Sequence, residues 1–173
     1  MKRILIIVIV LMISACSSSS KKPVDKMYYR FAENNIEPLE KLNIEVKRPS
    51  AMGILGNRPM VVQTNDSGLI QMSSNFWLDS PKVLLQNYLQ EIFIQHEDNA
   101  SLTLNSQILA LEKKQNEALL TIEFTLTNQD NKLIFNHTYK GHKQLLNNSI
   151  PAFANAISIL LEEMVQQLSQ DIK

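Results

Sequence analysis

Residues 118–126 follow a period of two. Ala118, Leu120, Ile122, Phe124 and Leu126 fall on one side, and Leu119, Thr121, Glu123 and Thr125 on the other. That pattern predicts a β-strand with one apolar face and one mostly wet face, as in an antiparallel sheet covered on one side. Residues 102–111 precede it across Lys113-Lys114-Gln115-Asn116, and residues 133–139 follow it across Asn128-Gln129-Asp130-Asn131. Together they predict a three-strand meander. Upstream, Leu42-Asn43-Ile44-Glu45-Val46 alternates strictly, and Met27-Tyr28-Tyr29-Arg30-Phe31 is rich in aromatics; both read as strands. Met60-Val61-Val62 and Leu69-Ile70-Gln71-Met72 flank Asn65-Asp66-Ser67-Gly68, which predicts a hairpin. Between Pro49 and Pro59 lie Gly53, Gly56 and Asn57, the composition of a loop or sharp reversal.

The period changes to 3.6 in two places. After Asp79-Ser80-Pro81, apolar Leu85, Tyr88, Leu89, Ile92 and Phe93 recur at helical spacing. Ser80 can accept from the first free amides, and Pro81 at the first helical position has no amide to lose. A final helix begins at a cap supplied by Asn148 or Ser149, with Ile150, Phe153, Ile157, Leu160, Leu161, Met164 and Leu168 on one stripe. This order predicts an α+β fold: a largely antiparallel sheet with two amphipathic helices packed on one face. The final stripe reads as core in preference to a lipid groove.

The N-terminus follows neither period. Met1-Lys2-Arg3 is basic, and residues 4–13 are an unbroken apolar run of ten. A membrane span needs about 20 such residues, whereas ten suit the apolar segment of an export signal. The run closes on Ile13-Ser14-Ala15-Cys16, which resembles a bacterial lipobox. The resemblance implies cleavage before Cys16 and acylation of that residue. Cys16 is the only cysteine of the chain, so no intrachain disulfide and no CxxC metal site is available. Residues 16–25, with four serines and Lys21-Lys22-Pro23, read as a flexible tether, and residues 26–173 as one domain. Ser17 after the cysteine resembles lipoproteins released to the outer membrane, facing the periplasm.

The whole chain of 173 residues carries 17 basic and 17 acidic side chains. Loss of residues 1–15 takes away Lys2 and Arg3 and leaves the remainder faintly acidic. That balance excludes a strongly basic nucleic-acid binder and favours protein partners over capture of anionic lipid. A hydrophobic content of 45% fits a folded chain.

A search for chemistry leaves no catalytic residue, metal site or cofactor. His96, His137 and His142 sit in no metal-binding motif. His137 and His142, five apart across Gly141, read as surface histidines in preference to a metal pair. Glu97-Asp98 and Glu162-Glu163 are adjacent pairs, and neighbours on a helix do not share a face. No GxSxG elbow or P-loop is present, and Gly53-Ile54-Leu55-Gly56 lacks the GK[ST] ending.

One stretch carries a resemblance. Arg58-Pro59-Met60-Val61 starts a strand, and Trp77-Leu78-Asp79-Ser80-Pro81 leads into a helix holding Leu84-Leu85. With the lipobox, the Tyr28-Tyr29-Arg30 strand and the C-terminal amphipathic helix, this resembles the ABC-type transport auxiliary lipoproteins, including those like paraquat-inducible protein C. The resemblance implies a non-enzymatic, membrane-anchored periplasmic lipoprotein. Its partner would be an MCE-domain substrate-binding subunit of an ABC transporter moving lipid or other hydrophobic molecules between membranes. Docking or scaffolding is the implied role; a lipid-carrying module and an assembly lipoprotein for an outer-membrane barrel are the alternatives, and homo-oligomerisation is open. Arg58 and Trp77 are the candidate partner-binding residues, since interface anchors are enriched in Arg and Trp. Each also has a structural reading, Arg58 as the pair of a carboxylate in preference to a lipid-headgroup ligand, and Trp77 as a cover for the sheet edge where the helix starts.

A Cys16→Ala variant is expected to lose membrane association and to accumulate as precursor or soluble protein in cell fractionation. Unchanged fractionation would overturn the lipobox reading.

Overall fold

The computed structural model describes residues 24–33, 35–38, 43–94 and 100–172. The lipobox with Cys16, most of the tether, Leu42, His96, Glu97 and Asp98 lie outside the described residues. Eight strands form one sheet: β1 (Met27–Tyr29), β2 (Ile44–Val46), β3 (Ser50–Ala51), β4 (Pro59–Gln63), β5 (Leu69–Trp77), β6 (Leu102–Lys114), β7 (Glu117–Asn128) and β8 (Leu133–Gln144). Two helices accompany them, α1 (Pro81–Ile92) and α2 (Ile150–Asp171), with a short 3-10 turn at Gly53–Gly56.

β6, β7 and β8 form the expected antiparallel meander, paired along nearly their full lengths. The alternating side chains of β7 do what their period requires. Ala118, Leu120, Ile122, Phe124 and Leu126 are buried, while the residues between them remain half-exposed. The β7–β8 turn is closed by Asn128, whose side-chain oxygen accepts from the amides of Asp130 (3.0 Å) and Lys132 (2.9 Å). β4 and β5 form the expected hairpin across residues 64–68. There the Thr64 hydroxyl donates to Asp66 and to the Gly68 carbonyl, and the Thr64 amide donates to the Gly68 carbonyl (2.7 Å).

The other edge of β6 is covered in instalments. β2 pairs with its residues Leu102–Leu104, β3 with Gln107–Ile108, and β4 with Lys113–Lys114, all in parallel. Residues 44–63 thus run beside β6 as one interrupted strand. The amides of Lys47 and Met52 extend the pairing by donating to the carbonyls of Leu104 and Ile108, both at 3.0 Å. The segment from Pro49 to Pro59, expected to be a loop, therefore carries a short strand and a 3-10 turn. β1 pairs in parallel with β5, so the path across the sheet is β1-β5-β4-β6-β7-β8.

β6 and β8 run further than the sequence reading, to Lys114 and Gln144, and two other boundaries differ for identifiable reasons. β1 stops at Tyr29, because Phe31 leaves the strand to pack edge-on against Trp77 (5.3 Å, 70°). β5 continues through the polar run Ser73-Ser74-Asn75 to Trp77, because β1 pairs with Asn75–Trp77 and β4 rejoins it at Phe76 after a break in register. Both helices start where expected. Ser80 accepts from the Val83 amide (3.4 Å), with Pro81 at the first turn. Ser149 accepts from the Ala152 amide (3.3 Å) and is the cap of α2, while the Asn148 side chain instead receives the Lys113 ammonium.

α2 lies on β7 and β8, and α1 on β2 and the 3-10 turn, and both contribute to one continuous core. The expected stripe of α2 is buried from Phe153 to Leu168, with Ile150 half-buried at its start. Its approach to β8 is close: a Cβ built on Gly141 would stand 2.8 Å from Leu160 Cδ2 and 2.9 Å from Met164 Cε.

Two charged residues are buried where β6 ends. Lys113 donates to the Gln115 carbonyl and to Asn148, and burial holds its ammonium below the usual lysine range. Burial likewise pushes the Glu112 carboxyl above its ordinary value of 4.5, with Lys114 opposing the shift. A carboxyl raised in the folded state favours folding below about pH 4.5, and that contribution is lost as pH rises through its folded value. Glu112→Gln is therefore expected to stabilise the protein at pH 7 and to have no such effect at pH 4, as read by denaturant unfolding at the two pH values.

Candidate functional site

The parallel register of β1 on β5 sets Tyr28 beside Phe76 and Tyr29 beside Trp77. Alternation then sends the two pairs to opposite faces of the sheet. Tyr29 and Trp77 turn to the helices. Tyr28 and Phe76 face outward, with ring centroids 5.6 Å apart and planes tilted by 31°. Half of the Tyr28 side chain is open to solvent.

Two cations close over these rings. The Arg58 guanidinium lies over Tyr28 at 5.3 Å, and the Lys26 ammonium over Phe76 at 5.6 Å. Arg58 comes to this position because Pro59 opens β4 opposite Phe76. Its backbone carbonyl accepts from the Trp77 amide (2.7 Å), and its Nε donates to the Trp77 carbonyl (3.3 Å). This exchange orients the guanidinium while leaving Arg58 exposed. The result is an outward cluster of Lys26, Tyr28, Arg58 and Phe76 at the edge of the sheet.

The structure thus brings Arg58 and Trp77 together through their backbones but separates their side chains. The Trp77 indole is 1% exposed, held between Phe31 and Phe153 (6.1 Å). It has no surface to give a partner, which corrects the expectation of a contact anchor: it belongs to the core beneath the sheet. The expected carboxylate partner of Arg58 is also replaced. Among the described residues the ion pairs are Lys47–Glu45 and Lys143–Glu163, and Arg58 is held by a carbonyl and an aromatic ring.

The remaining candidates are scattered. His137 and His142 pair with Phe124 and Leu119 of β7 and so face opposite sides of the sheet. The His137 ring lies edge-on to Tyr139 at 4.5 Å. Glu162 accepts from Asn35 (3.3 Å), and Glu163 pairs with Lys143 (3.2 Å). Among the described residues no three His, Cys, Asp or Glu side chains gather as a metal site. The Tyr139 hydroxyl donates to Asp171 (2.6 Å) and is pushed above the usual tyrosine range, chiefly by burial. Its cleft, about 260 Å³ between β8 and α2, is lined by His137, Lys140, Gly141, Leu160 and Glu163 among others and is open to solvent.

The outward cluster offers no nucleophile and no acid–base pair. Two fixed cations on two aromatic faces can recognise an anionic or aromatic group presented at the sheet edge. Sequence reasoning found Arg58 but missed Lys26, Tyr28 and Phe76. The aromatic character of residues 27–31 was a usable signal. Which ring faces outward depends on pairing with a strand about 50 residues away, which leaves no local mark.

The family model described as the ABC-type transport auxiliary lipoprotein component matches residues 32–169. Two solved structures share the fold. One, described as an uncharacterized protein, is 15% identical with a TM-score of 0.73, covering 86% of this chain and 99% of its own. The other, a Xanthomonas campestris protein assigned to the family DUF330, is also 15% identical with a TM-score of 0.71, covering 82% and 92%. No curated protein matches the chain.

Trp77 and Arg58 are expected to separate on mutation. Trp77→Ala should cost about 3–5 kcal/mol of stability through the cavity it leaves. Arg58→Ala should cost about 1 kcal/mol, one hydrogen bond and one exposed cation–π contact. Denaturant unfolding of the two variants checks this; equal losses would contradict the assignment.

Proposed function

Because the chain belongs to the family of ABC-type transport auxiliary lipoprotein components, we propose that it is the docking lipoprotein of an MCE-type ABC transport system, one that moves lipid or other hydrophobic molecules between membranes. The family is one of auxiliary lipoproteins and not of enzymes, and its setting is an ABC transporter at a membrane of the cell envelope. Residues 1–15 direct export, Cys16 carries the acyl anchor, residues 16–25 are the tether, and residues 26–173 form the working domain. The outer membrane, viewed from the periplasm, is the proposed site of anchoring.

The observation that carries this reading is the cation–aromatic cluster at the β1 edge. Lys26, Tyr28, Arg58 and Phe76 are held in fixed relation on an outward face, and Arg and Tyr are the residue types that dominate protein interfaces. The space between sheet and helices is filled by a continuous core running from Phe31 to Leu168. That packing favours docking over carriage of an acyl chain inside the domain. An acidic or aromatic segment of the MCE-domain subunit is the complementary surface.

Affinity capture from mildly solubilised membranes, followed by mass spectrometry, is expected to recover MCE and ABC subunits. Arg58→Ala with Tyr28→Ala should lower that recovery by about tenfold or more, as loss of an interface centre does, while leaving the fold intact by circular dichroism. Recovery of an outer-membrane barrel with no transporter subunit would overturn the proposal.

A further inference from the structure

A second surface lies at one end of the sheet. Three connections converge there. The β4–β5 turn adjoins the end of β6 through the pairing of Gln63 with Lys114. The β6–β7 turn at Gln115 and Asn116 is bound to the segment before α2, since the Leu145 amide donates to the Asn116 carbonyl (2.9 Å) and the Asn116 side chain donates back to the Leu145 carbonyl (3.3 Å). Apolar side chains project from these connections into solvent: Leu146 is 94% exposed, Ile70 56% and Leu69 39%.

The chain's own path leads to the same end. β5 leaves the β4–β5 turn and β1 runs parallel to it, so the segment before Met27 heads back towards that turn. Val24, the first described residue, is 70% exposed. From Val24 to Cys16 is eight residues, a span of about 28 Å at full extension. The opposite end of the sheet, with exposed Leu133 and Ile134, lies about 40 Å away along the twelve residues of β7. The anchor therefore favours one end over the other.

We propose that this end of the sheet, with exposed Ile70 and Leu146 beside its connections, seats on the phospholipid bilayer that holds the acylated Cys16; the proposal rests on the anchoring stated under Proposed function. The depth is set by Asp66 at the apex of the β4–β5 turn. The Thr64 hydroxyl and the amides of Asp66 and Gly68 hold its carboxyl below the usual carboxylate range, so it remains ionised. A charged turn stays among the headgroups, so Leu69 and Ile70, which lie just behind the apex, and Leu146 sit in the same interfacial layer, where exposed Lys114 meets phosphate. The opposite end, and the outward cluster on the sheet face, are then left free for the transporter.

Cys16 is the chain's only cysteine, and acylation removes its thiol, so an introduced cysteine can be labelled alone. The mature lipoprotein carrying Ile70→Cys, Leu146→Cys or Ile134→Cys is labelled with an environment-sensitive fluorophore and reconstituted in vesicles of phosphatidylethanolamine and phosphatidylglycerol. Labels at 70 and 146 are expected to shift to the blue and to be quenched by headgroup nitroxide lipids about twofold or more beyond the label at 134. Vesicles that carry the protein with all three labels equally quenched, or with 134 quenched most, overturn the seating alone. Protein that fails to float with vesicles and has an unmodified Cys16 by mass overturns the anchor, and the seating with it.

Discussion

β6 has two hydrogen-bonding edges, and the chain has to satisfy both over thirteen residues in the middle of a sheet. A tight turn at Gln115 and Asn116 brings back β7 and closes one edge with sequence-adjacent backbone. The second edge is closed by residues 44–63, which arrive from far upstream and run parallel. Once that interrupted strand is in place, β5 must fold back on β4, β1 must take the remaining edge of β5, and α1 must carry the chain over to β6. The position of every other feature follows from this arrangement.

The chief consequence is the coupling of Arg58 to Trp77. They meet because β4 and β5 pair at Pro59 and Phe76; the Trp77 amide donates to the Arg58 carbonyl, and the Arg58 Nε donates back to the Trp77 carbonyl. Below the sheet, the indole ties β5 to Phe31 and to Phe153 of α2. Above it, the guanidinium rests on Tyr28. The outward cluster is thus built on a buried part of the core. Side chains held in this way lose little freedom on binding, which lets a small cationic and aromatic surface act as a docking point.

The division of labour proposed for the domain also comes from the sheet. One end gathers three connections with exposed apolar side chains, and the segment before β1 points towards it. The outward face at β1 carries the paired cations and aromatics, and the helices occupy the inner face. An auxiliary lipoprotein needs a side for its membrane and a side for its transporter, and a single twisted sheet supplies separate ones.

Local patterning was sufficient for the meander of β6 to β8, the β4–β5 hairpin and both helices with the Ser80 cap, while the choice of Ser149 over Asn148 as the second cap came from the structure. In each element read locally the determining contacts are between residues close in sequence, or between a periodic stripe and whatever core it faces. The lipobox-like pattern that closes on Cys16 is a reading of the sequence alone, because charge, apolar length and small residues are properties of the chain and not of its fold. Tertiary structure alone decided the parallel strands beside β6, the extension of β5 through a polar run, the burial of Trp77 and the gathering of Lys26, Tyr28 and Phe76 around Arg58. Each depends on pairing between strands dozens of residues apart, and a shift of one residue in that register would send every side chain of β1 to the other face. The sequence marks a tryptophan and an arginine as unusual; only the register determines that one is core and the other surface.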